Sequence, residues 1–210
     1  MQHKDIILFI QSGKTQSALI RQQYNNYFAY EPDIIRAMTK IDGPLGEFFR
    51  ETKTGKMLDN STICSMFDMY TTILDNQLML LDGFPRNYTQ MYHVLAHTRK
   101  VRRKMMGIYL DLNKRVAIDR LLNRYYVKKE HLYPIHKEDI QQAQIQYEIV
   151  HREDDNEEAI TKRIELYFQD TMPVIRHFED TGLLYRVNAD QSIEEVFADI
   201  VKLIHTVELE

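Results

Sequence analysis

The apolar residues of this chain gather in short unbroken runs separated by longer amphipathic stretches. Residues 5–10, DIILFI, form the first run, and the loop QSGK leads from it into a helical stretch, TQSALIRQQY, at 15–24. A run without alternation is what a parallel strand covered on both faces requires. LMLLD at 78–82, GIYLDL at 107–112 and LLYRVN at 183–188 share that character, and NYFAY at 26–30 adds a shorter candidate strand. Helical patterns at 33–40, 44–54, 61–76, 87–98, 114–126, 156–180 and 192–206 separate them, and Gly182 stands where a helix C-cap belongs. Strands alternating with helices predict an α/β fold, a doubly wound parallel sheet with helices on both faces.

Two regions break the rhythm. Residues 31–60 hold short helical pieces with no strand between them. Residues 127–152 show no sustained helix or strand period and are long for a plain connection, so they read as a mobile lid or binding loop. The expected organisation is a single domain over 1–210, with a core of 1–30, 61–126 and 153–210 carrying an insertion at 31–60 and a lid at 127–152.

Composition narrows the class. The chain has 210 residues, 44% hydrophobic and 28% charged, with seven Gly and five Pro, which excludes collagen-like and Gly/Pro-rich low-complexity chains. No apolar run approaches the ~18 residues of a membrane-spanning helix. A net charge of −4 gives no global pull toward nucleic acid. The single cysteine, Cys64, leaves no intrachain disulfide and no multi-cysteine zinc site. The N-terminal run is too short for a secretory signal and has no small-residue cleavage site after it. A soluble cytoplasmic protein is expected.

Three features carry candidate chemistry. Gly13-Lys14-Thr15 follows the first run and opens a helix. That is the closing tripeptide of a phosphate loop, in which backbone N–H groups and a helix N-terminus cradle phosphate and the lysine reaches its outer oxygens. A full loop has a further glycine at the position held here by Leu8, and no other glycine precedes Gly43. The tripeptide alone also fits an ordinary strand–helix turn. The second feature, Leu80-Leu81-Asp82-Gly83-Phe84-Pro85-Arg86, ends a strand in an acid that could orient a hydrated metal ion. Its glycine admits close backbone approach, and its proline stiffens the turn that aims the arginine. The third is a set of arginines. Arg120 and Arg124 share a helix face before the irregular stretch, Arg152 closes it, Arg163 follows on the next helix and Arg36 lies in the earlier irregular region. Each alone reads as a solvated surface residue, but their bracketing of the lid suits phosphate clamping by guanidinium forks. The basic run at 99–104 reads as a solvated segment before a strand, and Met66, Met69 and Tyr70 as core or lid-hinge packing.

LLDGFPRN followed by Gln90 resembles the signature of adenylate kinases and related nucleoside monophosphate kinases, and the resemblance extends over about residues 5–206. DIIRAM resembles the family's nucleotide-site helix, PLGEFFRETKTGKMLDNSTI the helix and turn after it, IDRLLNR the helix entering the lid and REDDNEEAITKRIELY the helix leaving it. NADQSIEEVFADIVKLI resembles the last loop and helix. The resemblance implies a P-loop NTPase-like fold in which 31–60 is the acceptor-nucleotide insertion.

It also implies roles. Arg36 and Arg86 would hold the acceptor phosphate, Gln90 would read the acceptor base, and the backbone around Lys56 and Leu58 would line the base pocket, with Glu31 and Gly83 beside them. Gly13, Lys14 and Thr15 would contact the donor phosphates, Arg120 and the loop at Gln191 the donor base. Arg124, Arg152 and Arg163 would surround the transferring group, Asp154 would support them, and Asp82 would orient water on Mg²⁺. Mg²⁺ and ATP as co-substrate are the implied cofactors. The expected partners are ATP and a nucleoside monophosphate, with no nucleic acid or membrane, and the chain is expected to act as a monomer.

Departures from the family pattern keep a second reading open. The glycine-rich loop is shortened by roughly three residues and keeps one glycine, so fewer N–H groups converge on a donor phosphate. Glu31-Pro32 stands where the family has Thr-Gly, replacing a neutral hydroxyl by an acid. His131, His136 and His151 are candidate metal ligands in the lid, a reading that the lack of cysteine partners disfavours. One expectation is therefore an active nucleoside monophosphate kinase. The alternative is a catalytically impaired nucleotide-binding or scaffold protein on the same fold.

Overall fold

A computed structural model describes residues 6–11, 14–23, 27–30, 40–52, 59–73, 78–123, 125–128, 132–135, 140–150 and 156–209. The chain forms two compact units, one of Met1–Asp111 with Asp170–Glu210 and one of Leu112–Gln169.

The first unit is built on a five-stranded sheet. Its strands are β1 (Ile6–Gln11), β2 (Tyr27–Tyr30), β3 (Leu78–Asp82), β4 (Lys104–Asp111) and β8 (Leu184–Asn188). They lie in the order β2-β3-β1-β4-β8. Every neighbouring pair is parallel, with Leu8 opposite Leu80 on one side and Met106 on the other. Each run expected to be a strand is one, NYFAY included. The expected strand at 107–112 starts earlier, at Lys104, and takes in the end of the basic run. Arg99 and Lys100 lie in the last turn of the preceding helix, where cations complement the macrodipole, and Arg102 turns the chain with φ 53°.

Alternation of side chains divides the core between the two faces of the sheet. On one face Met79, Leu81 and Met105 meet Met66 and Phe67 of α3 (Asn60–Ile73), Met91 and Val94 of α4 (Tyr88–Val101) and Val174, Ile175 and Phe178 of α8 (Met172–Asp180). Phe49 of α2 (Pro44–Thr52) joins them. On the other face Leu80, Met106, Ile108 and Val187 meet Ile20 of α1 (Lys14–Gln23) and Val196, Ile200, Ile204 and Val207 of α9 (Ile193–Leu209). Each such side chain contributes about 1.5–3 kcal/mol by leaving water. Met69, expected in packing, is exposed. Gly182, with φ 70°, ends α8 as its sequence position implied, and the Leu183 N–H returns to the Phe178 carbonyl at 2.8 Å. The helix expected at 33–40 lies almost wholly outside the described residues.

The second unit departs further from expectation. The helix expected at 114–126 stops sooner, as α5 (Lys114–Leu122). The stretch read as lacking a period contains a three-stranded antiparallel sheet in the order β6-β5-β7, from Leu132–Ile135, Tyr125–Lys128 and Glu148–Val150, with a single-turn helix, α6, at Ile140–Ala143. Such short strands give too few residues for a two-fold period to show, and Pro134 hides β6 as a strand. It is tolerated because β6 is an edge. The helix expected at 156–180 is likewise divided. α7 (Glu157–Leu166) leads into a π-helical turn at Tyr167–Thr171, and α8 begins after it with Pro173 at its second position. Proline has no N–H to give the preceding turn and its ring crowds that turn's carbonyl, so a regular α-ladder cannot run through.

Candidate functional site

The sheet order brings the two motif-bearing turns together. β1 and β3 are neighbours, yet α1 leaves β1 for one face of the sheet and α4 leaves β3 for the other. Open α/β sheets hold ligands outside the carboxyl ends of two such strands. At the end of β1, Lys14 and Thr15 open α1, a backbone position suited to an anion. Gly13 and the side chains of Lys14 and Thr15 lie outside the described residues. Behind them Gln16, 5% exposed, donates from Nε2 to the Ile193 carbonyl at 3.1 Å, tying the first turn of α1 to the start of α9. Among the described residues, its Oε1 and Ser17 Oγ beside it are buried without a hydrogen-bond partner.

At the end of β3, Asp82 stands opposite Ile10 and is 4% exposed. When ionised, a carboxylate at this place offers only acceptors and suits a hard cation or an ordered water. Gly83 follows with φ 68°, a conformation that a Cβ would strain, and that Cβ would stand 3.2 Å from Arg86 Nη2. Phe84 is buried against Phe67, ring centroids 5.5 Å apart, and its bond to Pro85 is cis. The turn then presents Arg86 on the surface while fixing it from three sides. Arg86 Nε donates to the Gly83 carbonyl at 2.7 Å, its N–H to Gln90 Oε1 at 2.8 Å, and its carbonyl accepts from Thr171 Oγ1 at 3.0 Å.

Gln90 itself is 3% exposed. Its Nε2 donates to Asn60 Oδ1 at 2.9 Å, and Asn60 Oδ1 accepts a second N–H from Asn87 Nδ2 at 2.9 Å. Asn87 caps α4 by accepting from the Gln90 N–H at 3.1 Å. Asn60, Asn87, Thr171 and Gln16 were missed from sequence. Only Asn87 had a readable signal, a capping residue followed three positions later by glutamine. The others act across 27 to 177 residues of chain.

Gln191 lies in the loop between β8 and α9 and donates to Asp199 at 2.9 Å. The same loop closes α9 with a reciprocal cap. Ser192 Oγ accepts from the Glu195 N–H at 3.2 Å, and Glu195 accepts from the Ser192 N–H at 3.0 Å, which holds the Glu195 carboxyl below its ordinary range. In the second unit, Arg120 lies in the last turn of α5 and Arg163 in the last turn of α7, both exposed, and the two helices pack together. Glu31, Arg36, Lys56, Leu58, Arg124, Arg152 and Asp154 lie outside the described residues.

A family model described as adenylate kinase matches residues 11–183. The chain is 31% identical over 185 residues to an adenylate kinase of Rickettsia typhi, covering 82% of this chain and 84% of that one. It is 30% identical over 205 residues to an adenylate kinase of Clostridioides difficile, covering 90% and 92%. It is 29% identical over 202 residues to one from a Hydrogenobaculum species, covering 92% and 95%.

Proposed function

The chain belongs to the adenylate kinase family of phosphotransferases, and on that premise we propose that it moves the γ-phosphoryl group of Mg-ATP to AMP or another nucleoside monophosphate. The observation that carries this reading is the pairing of a helix N-terminus after β1 with a buried Asp82 and a clamped Arg86 after β3, at adjacent carboxyl ends of one parallel sheet.

On the donor side, Gly13, Lys14 and Thr15 bind phosphate, with Arg120 and the loop at Gln191 at the base. On the acceptor side, Arg86 and Arg36 are the residues assigned to phosphate and Gln90 to the base, with the backbone at Lys56 and Leu58 as the lining of its pocket and Glu31 and Gly83 as further acceptor-binding residues. Residues 127–152 are the proposed lid; Arg124, Arg152 and Arg163 are the guanidinium groups assigned to the transferring phosphoryl group, and Asp154 supports them. Transfer in this scheme needs no covalent intermediate. Positioning of the reactants in line and neutralisation of developing charge by fixed donors supply the rate. Asp82, through water, fits the Mg²⁺ that would neutralise donor phosphate charge when bound. Arg86, fixed before the acceptor binds, loses little freedom on doing so, which favours affinity.

The shortened glycine loop favours one other reading, a protein that keeps the acceptor pocket without catalysing transfer. A coupled phosphoryl-transfer assay with Mg-ATP and AMP, GMP, CMP, UMP or dTMP separates the two, with Arg86→Ala as background. Turnover above that background with at least one acceptor supports the kinase. Background rates with all five overturn it in favour of the binding protein.

A further inference from the structure

Two backbone N–H groups fix the orientation of three side-chain amides. A backbone N–H only donates. The atom of Gln90 that meets the Arg86 N–H must therefore be Oε1, and the atom of Asn87 that meets the Gln90 N–H must be Oδ1. Each of these side chains then has its Nε2 or Nδ2 turned to Asn60, at 2.9 Å in both cases, so the Asn60 atom between them is Oδ1 with both lone pairs in use. Gln90 cannot turn its amide over without setting N–H against N–H at Arg86 and oxygen against oxygen at Asn60. Nothing else among the described residues uses the second N–H of its Nε2 or the second lone pair of its Oε1.

We infer that Asn60 is a positioning residue that, together with the Arg86 N–H, locks the Gln90 amide in one orientation and so sets which base edge the acceptor site accepts. This inference rests on the reading of Gln90 as the residue that meets the acceptor base. An amide offers a donor and an acceptor side by side. Adenine and cytosine present an amino group beside an unprotonated ring nitrogen, whereas guanine and uracil present an oxo group beside a ring N–H. Exchanging the amide's two ends exchanges the class that it matches. A locked amide discriminates between the classes, and a free one serves both. Asn60 is not needed to cap its own helix, because Asp59 accepts from the Thr62 N–H at 2.8 Å and from the Thr62 hydroxyl at 3.1 Å.

The test compares wild type, Asn60→Leu and Asn60→Asp in steady-state transfer with AMP, CMP, GMP and UMP, with thermal unfolding of each. The leucine removes the double acceptor, while the aspartate keeps it. The expected result for Asn60→Leu is an acceptor KM raised about tenfold, the size of one lost hydrogen bond. Its preference between the amino and oxo bases flattens by a similar factor, and KM for ATP is unchanged. Asn60→Asp should restore both KM and preference. If Asn60→Leu folds with the wild-type acceptor ranking and KM, or if KM for ATP and for the acceptor rise together, the inference is overturned while the kinase reading stands. If Asn60→Leu does not fold, Asn60→Asp decides, and an altered ranking in that variant overturns the inference. A wild-type protein without transfer to any acceptor overturns the kinase reading and this inference with it.

Discussion

Arg86 is held by its own turn, by Gln90 and by Thr171, which separates its position from its charge. Arg86→Ala removes the charge and leaves the other groups of the turn in place. Truncating a charged hydrogen-bonding partner costs ~2–5 kcal/mol, so kcat/KM for the acceptor should fall by roughly 30- to 5,000-fold. Initial rates at several acceptor concentrations check this, and an unchanged kcat/KM would remove Arg86 from the site. Glu31→Thr restores the neutral hydroxyl that the family carries there and should move acceptor preference toward AMP. An identical ranking of monophosphates in both proteins would reject that role. At this scale the sequence was informative wherever chemistry is local. Asp82, Gly83 and Arg86 sit in one string and could be read as a unit. Asn60 and Thr171 could not, because what identifies them is a partner 27 or 85 residues away.

Elements show the same division between local and tertiary causes. The strands of the parallel sheet were legible because burial on both faces leaves them continuously apolar. The small antiparallel sheet was not, because strands of three or four residues carry too little pattern. The π-helical turn before Pro173 has a mechanism visible in sequence, yet its consequence lies in tertiary structure, where it includes the buried Thr171 bonded to Arg86. Thr171→Val keeps the shape and removes the hydroxyl. It should lower stability by about 1–2 kcal/mol in urea unfolding and raise the acceptor KM. A loss of stability with no change in KM would show that the bond serves the fold alone.

A second link joins α8 to β8. Arg186 Nε and Nη2 donate to the two oxygens of Glu179 at 2.7 and 3.1 Å, Nη1 donates to Asp111 at 3.2 Å, and the guanidinium lies 5.0 Å from the Tyr109 ring centre. Hydrogen bonding to Arg186 holds the Glu179 carboxyl below its ordinary value of 4.5. The folded protein then keeps that carboxylate ionised where the unfolded chain would take up a proton. The stabilisation is present above 4.5 and is lost as pH falls through the lower folded value. Urea midpoints at about pH 6 and about pH 3.5 should therefore differ less in Arg186→Met than in wild type. An equal difference in both would show that Glu179 gains nothing from this pair.

For the whole molecule, fold class and family were legible because the parallel sheet and the Asp82–Arg86 string together admit few alternatives. The activity was less so. It depends on whether a loop with one glycine still receives the donor, and loop length fixes how many N–H groups can converge on phosphate. Phosphorus NMR of wild type with Mg-ATP and one equivalent of its preferred monophosphate tests this most directly. The expected spectrum shows ATP and the monophosphate falling together and two diphosphate molecules formed per transfer, both ADP when the acceptor is AMP, with no inorganic phosphate and no diphosphate growing with Arg86→Ala. Inorganic phosphate rising while the monophosphate persists, or an unchanged spectrum, would contradict it.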